Sequence, residues 1–327
     1  MAYAPLRVGV IGCGAIAAAV HVPALRRIPG VRITAVADPA AQARERAARL
    51  VPAAALVEDG EEVLARDDVD AVVVTAPSGL HGRLALAALG AGRHLYLEKP
   101  IATTLEEGRR VAAAARDGVV ATVGFNWRFQ PLVARARALL RAGAIGEARA
   151  VWSVFCEPGH GPEWKRERAS GGGVLLDLGS HHFDLVRWLL GTDVEQVEAT
   201  LRSEETEHDS ASVRLVLADG TVASSFFSFR AGAIDTVEVL GDRGTLRVDR
   251  YGRTLSLSGT RRRVLTADLV RWRAQALGRR SFEPSWARSL RAFVDAVRGK
   301  TTELATLDDG LRSLEIVAAA ESAAGAG

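Results

Sequence analysis

The sequence predicts two domains of different class: a doubly wound α/β domain with a parallel sheet over residues 1–125, and an α+β domain with a mainly antiparallel sheet over 126–327. Three observations lead there. Short Val-rich runs alternate with Ala-, Leu- and Arg-rich helical stretches through the first 125 residues, and strands buried on both faces read as near-continuous apolar runs of this kind. From about residue 145 the apolar runs lengthen and are divided by tight turns, as antiparallel hairpins require. The length, 327 residues, suits two domains of about 150 residues each.

In order, the predicted parallel strands are 6–12 (LRVGVIG), 31–38 (VRITAVAD), 70–77 (DAVVVTAP), 94–100 (HLYLEKP) and 119–125 (VVATVGF), with helical stretches such as PAAQARERAARL between them. The longer strands follow in EARAVWSVFCEP, VEQVEATLRS, SASVRLVLADGTVASSFFSF, IDTVEVLGDRGTLRVD and TLSLSG, turning at Asp219-Gly220 and at Gly241 to Gly244. One helix is expected over 180–190 and two more at about 284–298 and 307–323; the tail AAGAG is expected to fray.

Composition narrows the function classes. At 48% hydrophobic the chain can bury a large core, yet no apolar run approaches the roughly 20 residues that cross a bilayer. The start lacks a charged n-region followed by a long apolar stretch, so a cytoplasmic protein with no membrane partner is expected. Cys13 and Cys156 lie far apart and form no C-x-x-C, which suggests two reduced thiols rather than a disulfide framework or a zinc site; no metal is expected. Net charge is +3, but residues 243–300 carry 15 basic side chains against four acids. Such a segment marks a solvated face, a subunit contact or a phosphate-bearing ligand. Nucleic acid is not expected, because no aromatic-interleaved basic motif accompanies the arginines.

The stretch VGVIGCGAIAAAVHVPAL places Gly12, Gly14 and Ala17 directly after the first strand and at the mouth of a helix. Small residues there permit a tight turn, close approach of the backbone, including Ala15 and Ile16, to a pyrophosphate, and close helix–strand packing. Asp38 closes the second strand, at the spacing expected of a carboxylate that accepts hydrogen bonds from ribose hydroxyls and repels a 2′-phosphate. NAD is therefore favoured over NADP. Capping of the following helix is the structural alternative for Asp38.

With PSGLHGRLALAALGAGRHLYLEKP (77–100), GFNWRFQP (124–131), GGGVLLDLGSHHFDLVRWLLG (171–191) and RAFVDAVRGK added, the chain resembles the Gfo/Idh/MocA oxidoreductases nearly end to end. The resemblance implies an NAD-binding Rossmann domain followed by an open antiparallel sheet that carries the substrate, and a homodimer or homotetramer. It places the family's lysine on Lys99 and its aspartate and histidine on Asp177 and His181, the implied catalytic set. Pro77, Ser78, His81 and Glu98 join Lys99 as cofactor neighbours, with a helix cap or a satisfied surface histidine as the alternative for His81, and a cis bond is often found near Pro100. Where relatives often have Trp-Arg before the glycines, this chain has Trp164-Lys165.

Those residue types suit the chemistry. Hydride transfer from a secondary alcohol requires the hydroxyl proton to leave as the C–H bond breaks; an imidazole titrating near neutrality can take it and return it. Asp177, four residues before His181, shares its helical face or sits in the entry loop, where it can fix the ring's tautomer or bind a neighbouring hydroxyl. Only three of the 42 basic side chains are lysines, and Lys99 is one. A compact ammonium that can share a proton stabilises a developing alkoxide better than a wide, permanently charged guanidinium does; an ion pair with Glu98 is the alternative. Asn126, Trp127, Arg128, Trp164 and Lys165 are candidate substrate contacts, through polar forks on hydroxyls and flat faces on C–H surfaces. Asp184 either touches substrate or strengthens a helix start, His182 reads as structural, and Trp152 and Trp188 read as core. The function so indicated is an NAD-dependent dehydrogenase or ketoreductase of a sugar, cyclitol or nucleotide-linked sugar. The alternatives are redox-assisted glycoside cleavage and a non-catalytic NAD- and sugar-sensing regulator.

Overall fold

A computed structural model describes residues 4–159, 161, 163–259 and 284–325. The chain divides into two compact units, residues 1–126 with 286–314 and residues 127–285 with 315–327.

The first unit is built on six parallel strands: β1 (Leu6–Ile11), β2 (Val31–Ala37), β3 (Ala55–Val57), β4 (Ala71–Val74), β5 (His94–Leu97) and β6 (Ala121–Val123), in the order β3-β2-β1-β4-β5-β6. Every residue of β4 is buried, as a strand covered on both faces should be. The order reverses between β1 and β4, and the crevice outside the carboxyl ends of such neighbouring strands is where ligands bind in doubly wound sheets. The three-residue edge strand β3 is an addition to the five strands read from sequence. Val8, Val10, Val36, Val73 and Tyr96 form a core completed by Leu290, Phe293 and Val294 from the late helix Ser285–Val297. The Tyr96 hydroxyl meets Ser289 Oγ at 3.1 Å, and burial raises its pKa well above the ordinary phenol value.

The second unit carries seven strands: β7 (Ala148–Cys156), β8 (Val194–Arg202), β9 (Ser210–Leu217), β10 (Val222–Ser228), β11 (Ile234–Gly241), β12 (Thr245–Asp249) and β13 (Thr254–Ser258), in the order β13-β12-β11-β7-β10-β9-β8. All pairs are antiparallel except β10 with β7, which run parallel. Burial alternates along β9 and β10, the period-2 signature of a sheet with one face packed and one face open. Trp152 on β7 points to the open face and is 56% exposed, which corrects the core reading of this residue: a nine-residue strand with one solvated face turns every second side chain outward, whatever its polarity. Trp188 is half-buried, with the Arg137 guanidinium 3.9 Å from its ring centroid.

The last helix runs Leu307–Gly325, so most of the tail expected to fray is helical. Much of the basic stretch 243–300 falls on 260–283, outside the described residues. Several arginines and lysines of its described part hold structure: Arg298 donates to the carbonyls of Pro29 and Gly30, Lys300 pairs with Asp295 at 2.8 Å, and the half-buried Arg250 pairs with Asp235. Among the described residues no helix is long and apolar enough to cross a membrane.

Candidate active site

Each unit gathers one group of candidate residues. In the first, β1 ends in Gly12, whose φ is +91° and whose added Cβ would stand 2.6 Å from Ala76 N. Only glycine fits, because this φ is strained for any L side chain and the neighbour is backbone. Gly14 is the reverse case: an added Cβ there meets nothing within 4 Å, and Gly14, Ala15 and Ile16 are exposed while Ala17 is fully buried against the sheet. The turn thus presents bare backbone at the mouth of a helix, whose first N–H groups lack intrahelical acceptors. Asp38 braces the turn from β2, with Oδ2 accepting from Cys13 N at 2.7 Å and Oδ1 from Ala40 N at 2.9 Å. The carboxylate therefore braces the turn without capping the helix Ala41–Leu50, whose N-cap is Ala40, and it remains partly exposed. Burial, with Asp38 adding to it, pushes the Cys13 thiol up to about 12, so this cysteine is inert.

From β4 the chain enters Pro77 and a 3₁₀ turn, Ser78–Leu80, ahead of the helix His81–Gly90. The His81 ring is buried, with Nδ1 2.6 Å from the Pro100 carbonyl and Nε2 2.9 Å from that of Ala76. Both ring nitrogens face the protein, so the ring ties the β4 exit to the segment after Lys99. A neutral imidazole donates to only one of two carbonyls, yet burial outweighs both and lowers the His81 pKa. The Lys99–Pro100 bond is cis. Glu98 turns its carboxylate to His21: Oε1 lies 2.6 Å from His21 Nε2, and Oε2 accepts from the Lys99 backbone N–H at 3.3 Å. His21 is fully buried and was absent from the sequence-derived site; its only signal was a polar residue inside an apolar run, with a partner 77 positions away.

In the second unit, the glycine run before Asp177 has a steric cause. A Cβ on Gly172 would lie 2.1 Å from the Lys165 carbonyl oxygen, and Gly171 and Gly173 have φ of +97° and +89°. The run folds onto the 3₁₀ turn Glu163–Arg166 and brings Lys165 to Asp177, with Nζ 2.7 Å from Oδ2. Trp164 lies in that turn; its side chain is outside the described residues. Asp177 itself sits in a π-helical turn, Leu175–Gly179, that runs without a break into α7 (Ser180–Leu190), so Asp177 and His181 are part of one continuous helical path.

His181 is 9% exposed and stacks on Trp127, with centroids 4.2 Å apart and planes 11° from parallel. The adjacent His182 is fully buried, lies parallel to Phe155 and reaches Asp235 at 3.4 Å. Arg128 and Asp184 form a buried ion pair, Nε to Oδ2 at 2.9 Å and Nη2 to Oδ1. That fork joins the turn before helix Pro131–Arg141 to α7; Asn126, at the same turn, is also buried. Of the expected substrate contacts, Lys165 is thus drawn to Asp177, Arg128 to Asp184, and Trp127 to His181. Among the described residues no cluster of three metal-ligating side chains occurs.

Residues 6–125 match an oxidoreductase family with an NAD-binding Rossmann fold, and residues 133–247 match the GFO/IDH/MocA C-terminal domain. Over 325 residues the chain is 32% identical to inositol 2-dehydrogenase 2 of Paenarthrobacter aurescens, covering 94% of this chain and 93% of that one. The chain belongs to the Gfo/Idh/MocA oxidoreductase family. It is also 31% identical over 326 residues to the dTDP-3,4-didehydro-2,6-dideoxy-alpha-D-glucose 3-reductase of Actinomadura kijaniata, covering 98% and 96% of the two chains. The crystal structure of GenD2 from gentamicin A biosynthesis, in complex with NAD, superposes with a TM-score of 0.84 at 28% identity, covering 99% of this chain and 95% of that one. Like other Gfo/Idh/MocA oxidoreductases, this protein uses a nicotinamide cofactor, and the bare backbone at Gly14 with the partly exposed Asp38 carboxylate beside it fits NAD.

Proposed function

We propose that the protein is an NAD-dependent dehydrogenase or ketoreductase acting on a secondary alcohol or ketone of a sugar, cyclitol or nucleotide-linked sugar, with His181 as acid–base group and Lys99 as an electrostatic group. The observation that carries the reading is the contrast between neighbouring histidines on α7: His182 is sealed in the core against Asp235, whereas His181 stays at the edge of solvent with its ring held flat by Trp127. A base needs that combination of access and fixed orientation.

Bound nicotinamide supplies or accepts the hydride. Gly12, Gly14, Ala15, Ile16 and Ala17 would hold the pyrophosphate at the helix mouth, and Asp38 would accept hydrogen bonds from the adenosine ribose. Pro77, Ser78 and Lys99 would meet the other end of the cofactor, with Glu98 held on His21 and His81 tying Pro100 to Ala76 as their support. His181 takes the hydroxyl proton in oxidation and returns it in reduction. The Lys99 ammonium stabilises negative charge on the oxygen as it develops. Lys165 and Asp177, the latter four residues before His181, form a charge-assisted pair that orients substrate hydroxyls. A second copy of this chain covers the open sheet face, where Trp152 and Phe226 stand exposed beside Glu198 and Arg214; exposed apolar patches of this kind mark association sites.

The test is nicotinamide absorbance with a panel of polyols and ketoses. Lys99→Ala and His181→Ala should each abolish measurable turnover while NAD affinity, read by titration calorimetry, stays near wild type. Loss of NAD affinity in His181→Ala, or full turnover in either variant, would overturn the assignment.

A further inference from the structure

We propose that Trp127 and Arg250 are positioning residues for His181, forming a stacked column that fixes the plane of its ring; the inference rests on the reading of His181 as the acid–base group. The column is drawn from four separate elements. Trp127 comes from the 3₁₀ turn Asn126–Phe129, His181 from the first turn of α7, Arg250 from the turn after β12, and Asp235 from β11.

The indole of Trp127 is filled on both faces. The His181 ring lies parallel to it at 4.2 Å, and the Arg250 Cζ stands 3.6 Å from the same centroid. Two groups that close to one ring face would overlap, so imidazole and guanidinium lie on opposite sides. Phe155 and His182 close the edges, both edge-on, at 4.8 and 5.4 Å. Trp127 is therefore no platform for a sugar ring. It transmits support from Arg250 to His181.

Arg250 is held in turn. Its Nη1 donates to Asp235 Oδ2 at 2.5 Å, and its backbone N–H donates to the Asp235 carbonyl at 2.9 Å. Asp235 Oδ1 meets His182 Nε2 at 3.4 Å, and His182 is covalently joined to His181. The path from His181 through Trp127, Arg250 and Asp235 returns to the backbone of the same helix turn. A planar guanidinium is the cation suited to such a layer, because it lies flat on an aromatic face and still offers a fork to a carboxylate. An aliphatic side chain would fill the space without holding the indole from behind.

The first measurement needs no substrate. In the full-length protein labelled with ring-¹³C histidine, the seven histidines give Cε1–H signals, and the one lost in His181→Gln is assigned to His181. Stacking predicts an upfield ring-current displacement of that signal, retained in Trp127→Phe and removed in Trp127→Leu. The second measurement uses the polyol that turns over in the panel above. Trp127→Leu and Arg250→Ala should lower kcat by about 100-fold, the scale of a misplaced catalytic group, with KM for NAD unchanged. Trp127→Phe should retain most of kcat, Arg250→Lys should not restore it, and added guanidinium ion should partly rescue Arg250→Ala. An undisplaced His181 signal in the wild-type protein, or wild-type kcat in Trp127→Leu and Arg250→Ala, overturns the inference. Full turnover in His181→Gln, or a panel with no turnover at all, instead sinks the reading of His181 as a base, and the ring-current displacement then reports a stack with another purpose.

Discussion

The two units build their groups of candidate residues from different materials. In the first, the arrangement is made by main chain: Gly12 at φ +91° against the Ala76 backbone, the bare turn at Gly14, and Asp38 bracing it through N–H groups. In the second, side chains hold other side chains: Lys165 on Asp177, Arg128 on Asp184, Trp127 on His181. A site of main chain tolerates few residue types at few positions. A site of paired side chains distributes its demands over many, and each pair is a place where binding and turnover can be separated.

The sharpest test of that difference is His181→Gln, which should reduce kcat by about 10²- to 10⁴-fold, the usual contribution of a general acid–base group, while NAD binding measured by calorimetry is unmoved. If NAD affinity falls with kcat, the separation between the units is lost. Next is Asp184→Asn, which leaves the buried Arg128 charge without its counter-ion. Broken buried pairs cost about 3–5 kcal/mol, to be read from urea unfolding, and the double change Arg128→Met with Asp184→Leu should recover much of it. Gly12→Ala should cost about 1–3 kcal/mol from backbone strain alone and, unlike the changes in the second unit, abolish NAD binding.

A smaller effect sharpens the comparison through pH. Burial holds the His81 pKa below the ordinary value, which is about 6.5 in an unfolded chain. Below that pH the unfolded state takes up a proton that the folded state refuses. Stability is therefore full above the unfolded pKa and falls as pH drops from it toward the folded one. In His81→Asn the difference in melting temperature between neutral and mildly acidic buffer should shrink; an unchanged difference would show that another group carries the dependence.

How much of this was legible follows the same division. Gly12, Gly14, Ala17 and Asp38 announce themselves because main-chain recognition forces residue type at fixed spacing. The five Val-rich strands did so as well, whereas β3 did not, since three residues set among alanines carry no period. The alternation in β7 to β13 gave strands but not their order: β10 enters beside β7 in parallel, which no hairpin signal encodes. Trp152 shows the limit of residue type as a guide to burial, being a large aromatic turned outward by strand parity. Along the helical path 175–190, Asp177 and His181 could be read in sequence, but His21, Asp235 and Arg250 could not. Each acts through a partner dozens of positions away, and a lone histidine or arginine carries no mark of what it will face. The pairing of Lys165 with Asp177 was not legible either, because nothing local shows that Gly172 folds its turn onto Lys165.

The helix Ser285–Val297 sets an order on synthesis. Leu290, Phe293 and Val294 complete the core around Val10 and Tyr96, so a nascent chain that has already emerged through Asn126 still lacks the piece that seals its nucleotide-binding half. Until the ribosome has delivered the whole intervening sheet, that half exposes apolar surface to its surroundings, the condition under which chaperones engage. Expression of residues 1–126 alone should consequently yield aggregate, and supplying 284–314 as a fused segment should restore a monodisperse, NAD-binding fragment.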